Sequence, residues 1–365
     1  MRKQIILALF SALLLAGCGI TEADAKPKTV EQTSAHTETK KEPVFQPRAA
    51  VSVSPVTFES ANTTISTKDM KENVPEIQYR IWRTADGQGS LKIFSSKDKD
   101  KGFSFLFDTK EFSSKRGEYQ VEAYGVKEDG KQVLLAKSAV TFQRHVPILM
   151  YHAIDEYKGE GLKDLFVTPA NFEAQMKYLK DNGYTFLTFE RWGDVNKVNK
   201  PVLVTLDDGM KNNMNALHIL QKLKDDKFQP AATEYMIAGA IDGGPYWLSS
   251  DELKEMVNSG IFSVQAHTMS HADLPKITNY EEELKAPKER IEQVTGKPVI
   301  AIAYPFGHFN DKVVEETKKY YQFATTTKPG QFIEKGQQNE MLLMQRVRIS
   351  YSTTIEQFAS LVKEK

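Results

Sequence analysis

From Pro147 onward, short apolar runs alternate with amphipathic segments, and this alternation restricts the fold more than any other feature. Pro147–His152, Tyr184–Phe189, Val202–Leu206, Ala231–Ile237, Ile261–Ala266, Val299–Pro305, Phe323–Thr326 and Arg346–Ile349 read as strands. Helical signals lie between them. Phe172, Met176 and Leu179 form an apolar stripe, with Glu173, Lys177 and Lys180 on the wet side. Thr168-Pro169 opens that helix, and Ser249-Ser250-Asp251-Glu252 has the form of a capping box. Further helices are expected over Asn213–Leu223, Glu281–Thr295, Lys312–Tyr320 and Ile355–Val362, the second of which must accommodate Pro287. Strand–helix alternation of this kind implies an α/β fold with parallel strands, most simply a (β/α) barrel or a distorted one, spanning residues 145–365.

Residues 48–144 have a different texture. Ile77–Trp82, Leu91–Phe94, Phe103–Phe107 and Tyr119–Tyr124 alternate at period two, separated by Asp86-Gly87, Lys101-Gly102, Arg116-Gly117 and Asp129-Gly130. About seven short strands in an antiparallel β-sandwich follow from this spacing. The Gly-Glu-Tyr-Gln-Val-Glu-Ala-Tyr-Gly segment from Gly117 resembles small immunoglobulin-like repeats of Gram-positive surface proteins. A spacer role is expected, with wall or glycan binding as the alternative.

The first 17 residues carry Arg2 and Lys3, an apolar core over Ile5–Leu15 and a small-residue end, the pattern of a secretory signal. Leu15-Ala16-Gly17-Cys18 resembles a bacterial lipobox, which implies cleavage before Cys18 and lipid on its sulfur. Two acyl chains there would hold the protein on the outer face of the cell membrane. Cys18 is the single cysteine, so no intrachain disulfide forms. Residues 18–47 are rich in Thr, Glu, Lys, Ala and Pro and are expected to be a disordered tether. The 48 basic and 48 acidic residues balance, which argues against a nucleic-acid partner.

The strand ends of the second region carry polar groups: His152, Asp207-Asp208, His267 with His271, and Tyr304-Pro305. A parallel barrel brings all such ends to one face. Alone, Asp207-Asp208-Gly209 reads as a turn closing a strand. His267 and His271 are four apart, so on one helical turn they share a face and grip one metal ion, with a carboxylate as third ligand. A loop holding two unrelated histidines is the plainer reading, although the chain has only seven histidines. A zinc-protease helix is discounted, because Thr268 stands where its glutamate base would be.

Thr-Leu-Asp-Asp-Gly from Thr205, His-Thr-Met-Ser-His from His267 and Tyr-Pro-Phe-Gly from Tyr304 together resemble the polysaccharide deacetylase family, the NodB homology domain of carbohydrate esterase family four. The resemblance implies a distorted (β/α) barrel, with Asp207 as catalytic base and Asp208, His267 and His271 on a divalent metal. Zinc is expected first, with cobalt, nickel or iron as alternatives. Two departures matter. Tyr304 stands where the common pattern has Arg, and Leu343–Arg348 lacks the usual C-terminal histidine. Both features resemble the subgroup acting on poly-β-1,6-N-acetylglucosamine, whose acid histidine comes from an early Met-Tyr-His, here Met150-Tyr151-His152. Tyr304, Pro305 and Phe306 are then expected at the substrate, with the Phe306 N–H facing the oxyanion. The implied partner is an N-acetylglucosamine polymer. Peptidoglycan or another wall glycan, and a non-catalytic glycan-binding lipoprotein, are the alternatives. Tyr246, Trp247, Phe306 and Phe309 are candidates for sugar stacking, His308 and Asn310 for lining the cleft, and His218 for a structural role. Glu234 has no assigned role.

Overall fold

The computed structural model describes residues 45–364. The expected signal segment, Cys18 and most of the tether lie outside the described residues.

The first seven strands are β1 (Ala50–Val53), β2 (Asn62–Lys68), β3 (Glu76–Arg83), β4 (Lys92–Ser96), β5 (Phe105–Asp108), β6 (Gly117–Val126) and β7 (Gln132–Phe142). They form two antiparallel sheets, ordered β1-β2-β5 and β4-β3-β6-β7. Strict alternation along β3 and β6 turns Ile77, Tyr79, Ile81, Tyr119, Val121 and Ala123 into a shared core. The sandwich meets the following region through polar contacts. Glu118 N donates to Asn196 O at 2.8 Å, and Arg144 Nη1 donates to Val198 O at 2.6 Å.

The second region runs β8 (Ile148–Tyr151), β9 (Ala153–Ile154), β10 (Phe166–Val167), α1 (Pro169–Asp181), β11 (Thr185–Leu187), β12 (Pro201–Asp208), α2 (Met214–Leu223), β13 (Ala232–Met236), α3 (Ser250–Asn258), β14 (Phe262–Ala266), α4 (Ala286–Thr295), β15 (Ala301–Ala303), α5 (Asp311–Thr317), β16 (Phe323–Pro329), β17 (Met344–Arg348) and α6 (Ile355–Val362). Strands β12 to β17 pair in sequence, all parallel, and β8 closes the ring by pairing with both β17 and β12. β11 pairs with the first half of β12, on the edge where β8 takes the second half. The expected distorted barrel follows from that shared edge.

Caps appear where the sequence places them. Thr168 accepts from Asn171 N, and Ser249 and Glu252 form a reciprocal capping box on α3. The expected helix over Glu281–Thr295 is not uniform. Glu281–Lys285 is a π turn, and α4 follows with Pro287 in its first turn. Proline lacks an N–H and its ring crowds the preceding turn, so the wider turn relieves it.

Parity along the strands sorts the site. On β12, Val202, Val204 and Leu206 belong to the apolar layer under the helices, whereas Leu203 packs with Ile148, Tyr235, Ala301, Ala303 and Met344 inside the ring. Continuing the alternation puts Thr205 and Asp207 inside as well. The same rule directs His152, Gln265, His267 and Arg346 inward, and Tyr151, Glu234 and Tyr304 outward.

Candidate active site

Asp208 ends β12 in an uncommon conformation, with φ 82°, and Gly209 follows at φ 81°. A side chain at Gly209 would put Cβ 2.1 Å from Met236 Sδ, so the turn needs glycine. The twist redirects the Asp208 carboxylate toward two histidines. Asp208 Oδ1 lies 3.4 Å from His267 Nε2 and 3.8 Å from His271 Nε2. The three ligand atoms all lie within 4.8 Å of one another. Four ligands at ~2.1 Å in a tetrahedron would sit roughly 3.4 Å apart, so this trio fits one small divalent cation. His267 Nδ1–H donates to Ala303 O at 2.8 Å, which leaves Nε2 as the ring nitrogen facing Asp208. That second contact is the support metal-bound histidines ordinarily have. Burial alone would lower the His267 pKa, but the Asp208 carboxylate outweighs it and raises it.

The two histidines do not share a helix, contrary to the expected helical turn. His267 to His271 is a loop, and Thr268 and His271 take left-handed φ values of 64° and 59°. The loop folds back so that the rings meet with centroids 4.8 Å apart.

Asp207 sits just inside this trio, 2% exposed. Arg346 grips it from β17: Nη1 donates to Oδ1 and Nη2 to Oδ2, both at 2.7 Å. Arg346 Nε also donates to Thr326 O at 3.0 Å. Burial by itself would raise the Asp207 pKa, but the adjacent guanidinium holds it well below the ordinary carboxylate range. His152 Nε2 lies 4.0 Å from Asp207 Oδ2, beyond hydrogen-bond reach. Burial lowers the His152 pKa, and Asp207 and Asp208 partly offset that.

Asp207, Asp208, His152, His267 and His271 therefore converge, while the Tyr304-Pro305-Phe306 segment divides. The Tyr304 and Pro305 side chains are buried, and the Tyr304 ring packs in the layer under the helices, 5.8 Å from Phe309. Phe306 alone is exposed, at φ 60°, with its ring 4.6 Å from the His271 ring. Gly307 at φ 73° permits this turn, because a Cβ there would lie 2.0 Å from Thr327 Oγ1. Trp247 joins Asp208, Met269 and His271 around an open cavity of about 590 Å³, and Tyr246 stands exposed beside it. His308 pairs with Asp273 at 3.1 Å, Asn310 caps α5, and His218 is exposed on α2.

Two residues beside the aspartates had no role in the sequence reading. Arg346 opens the expected last strand and lies in the segment that lacks the usual histidine, and an arginine inside an otherwise buried strand needs an anion. Glu234, fully buried on β13, receives Asn213 Nδ2 at 3.0 and 3.2 Å. Burial raises its pKa well above the usual range despite that contact, and Asp207 and Asp208 add to the effect.

A parallel barrel whose carboxyl end gathers an Asp–His–His trio able to hold a divalent cation, with His152 and the buried Asp207–Arg346 pair beside it, has the layout of a hydrolase active site. Comparison with known proteins then gives the family. The profile described as polysaccharide deacetylase matches residues 194–322, and that of the GBS Bsp-like repeat matches 53–140. A Bacillus subtilis protein named for the same family is 33% identical over 213 residues, 56% of this chain and 71% of that one. A crystal structure of a polysaccharide deacetylase from Bacillus cereus is 67% identical, with TM-score 0.84, over 87% of this chain and all of that chain. Poly-β-1,6-N-acetyl-D-glucosamine N-deacetylase from Staphylococcus aureus is 29% identical over 182 residues, 44% of this chain and 60% of the relative. The chain belongs to the polysaccharide deacetylase family and is a hydrolytic N-deacetylase.

Proposed function

We propose that this protein is a divalent-metal-dependent deacetylase of the bacterial cell surface. It removes N-acetyl groups from a β-linked N-acetylglucosamine polymer, with poly-β-1,6-N-acetylglucosamine favoured. The observation that carries this reading is the placement of His152, from the early Met-Tyr-His segment, beside Asp207 and the Asp208–His267–His271 trio. The Staphylococcus aureus relative, named for that polymer, supports the linkage.

Asp208, His267 and His271 would hold the cation, leaving an open side toward the cavity. A bound divalent ion, zinc in this proposal, supplies positive charge that polarises the acetamide carbonyl and makes water more acidic. Asp207, ionised by Arg346, accepts the proton of the attacking water. His152, when protonated, delivers a proton to the departing amine, so acetate and a glucosamine unit leave. In this proposal the backbone N–H of Phe306, whose ring lies beside that of His271, stabilises the oxyanion. Trp247 and Tyr246 offer faces for a sugar ring.

One observation favours a second division of labour. Arg346 occupies both Asp207 oxygens and makes the carboxylate a weak base, whereas burial keeps His152 neutral. In that version His152 both takes the water proton and returns it to the amine, and Asp207 steadies the imidazolium.

The Leu-Ala-Gly-Cys segment supports lipid anchoring through Cys18 at the outer membrane face. Mass spectrometry of the mature N-terminus tests it: a diacylglyceryl cysteine is expected, and an unmodified Cys18 would exclude the anchor. Side-by-side digestion of β-1,6- and β-1,4-linked N-acetylglucosamine oligomers, with acetate as readout, tests the substrate. Faster release from the β-1,4 series would favour a wall-glycan deacetylase.

A further inference from the structure

The loop between the two ligand histidines is costly to form. Thr268 and His271 both adopt left-handed backbone conformations without being glycine, at φ 64° and 59°. Such a conformation is disfavoured for a residue with a Cβ and persists only where the surroundings fix it.

One side chain makes most of the fixing contacts. Glu283 Oε2 accepts from Met269 N and from Ser270 N, each at 3.0 Å. Its other oxygen, Oε1, accepts from Ser270 Oγ. Thr268 Oγ1 completes the set by accepting from His271 N at 2.9 Å. A single carboxylate thus takes both consecutive backbone donors at the centre of the loop. Glu283 is 7% exposed, so water competes little for these bonds. It stands in the middle of the π turn Glu281–Lys285 that precedes α4. π turns of this kind are frequent at functional sites.

We propose that Glu283 is a positioning residue for the metal centre, holding the Met269–Ser270 backbone so that His271 meets His267 and Asp208. The inference rests on the proposed metal-binding reading of those three residues. Glu283 touches neither substrate nor the ligand atoms. It acts by stopping the loop from relaxing into conformations in which His271 swings away. Outer contacts of this kind ordinarily change metal affinity by 10- to 100-fold.

The test is zinc affinity of the full chain, stripped with a chelator and titrated with Zn²⁺ against a chromophoric competitor. Co²⁺ substitution reports ligand geometry through its visible absorption. Glu283→Ala should weaken Zn²⁺ binding at least tenfold and diminish the tetrahedral cobalt bands. Glu283→Gln should stay within about threefold of wild type, since its amide oxygen can accept both N–H groups and its NH₂ can donate to Ser270 Oγ. If Glu283→Ala does not fold, Glu283→Asp decides: it keeps the charge but withdraws the oxygens by one methylene, and tenfold weakening is again expected. Wild-type affinity in a folded Glu283→Ala or Glu283→Asp protein would overturn the role. A wild-type chain that binds no Zn²⁺ would instead overturn the metal reading, and the inference with it.

Discussion

Arg346 on β17 closes a two-pronged ion pair on Asp207 of β12, with both N···O distances at 2.7 Å and both side chains buried. Neither charge can rest there without the other. Removing one partner of a buried pair costs about 3–5 kcal/mol, because the remaining ion is left in a low-dielectric site. Arg346→Met should therefore lose about that much stability in urea unfolding. The pH dependence gives the sign. Asp207 is held below its ordinary 3.8, so its contribution is present above that value and is lost as pH falls below it. Arg346→Met should lack this acid-side loss. Wild-type stability at neutral pH in the variant would refute the pairing.

The proposed metal dependence rests on the trio at the barrel mouth. Chelation should abolish acetate release, and added zinc should restore it. Asp208→Asn and His267→Ala should each lower metal content as well as activity, since each removes one of three ligands. Either variant with full metal occupancy by elemental analysis would contradict the assignment.

The division of labour between Asp207 and His152 is open to a pH profile. His152 titrates below its ordinary 6.5. If His152 is the acid, kcat/KM falls as pH rises through its pKa. If it is the sole base, kcat/KM rises over that interval instead. The proposal expects the fall, and expects His152→Ala to lose about 10²- to 10⁴-fold in kcat with metal affinity unchanged. Loss of metal in His152→Ala would count against a proton-transfer role.

Much of this site was legible because each group follows directly on an apolar run. Asp207, His152 and His267 sit at strand ends, and parallel closure of the ring brings such ends together. The geometry of the second histidine was not legible. Four-residue spacing fits a helical turn, but backbone hydrogen bonds to Glu283, in the π turn that follows the loop, hold a different conformation. Arg346 was hidden for a related reason: its partner lies 139 positions away, and only strand pairing reveals the contact. Tyr304 shows the reverse error. Its neighbours Ala301 and Ala303 face the interior, so simple alternation already turns its ring toward the helices.

Glu234 offers a further check on the buried charge balance behind the site. Its pKa is raised well above 4.5, so its contribution to stability is complete below that value and declines as pH rises. Glu234→Gln mimics the protonated acid and has no such decline. Urea midpoints measured from about pH 5 to about pH 8 should shift in favour of the variant as pH increases. A difference between the two proteins that does not change with pH would argue that Glu234 is ionised.

The most direct test of the central claim is acetate and free-amine release from defined N-acetylglucosamine oligomers by the zinc-loaded full chain and by Asp207→Asn. The account predicts equal amounts of acetate and new amine from wild type. It predicts almost none from a variant that still binds the metal. Full activity in Asp207→Asn, or a metal-loaded wild-type protein that releases acetate from no glycan, would contradict it.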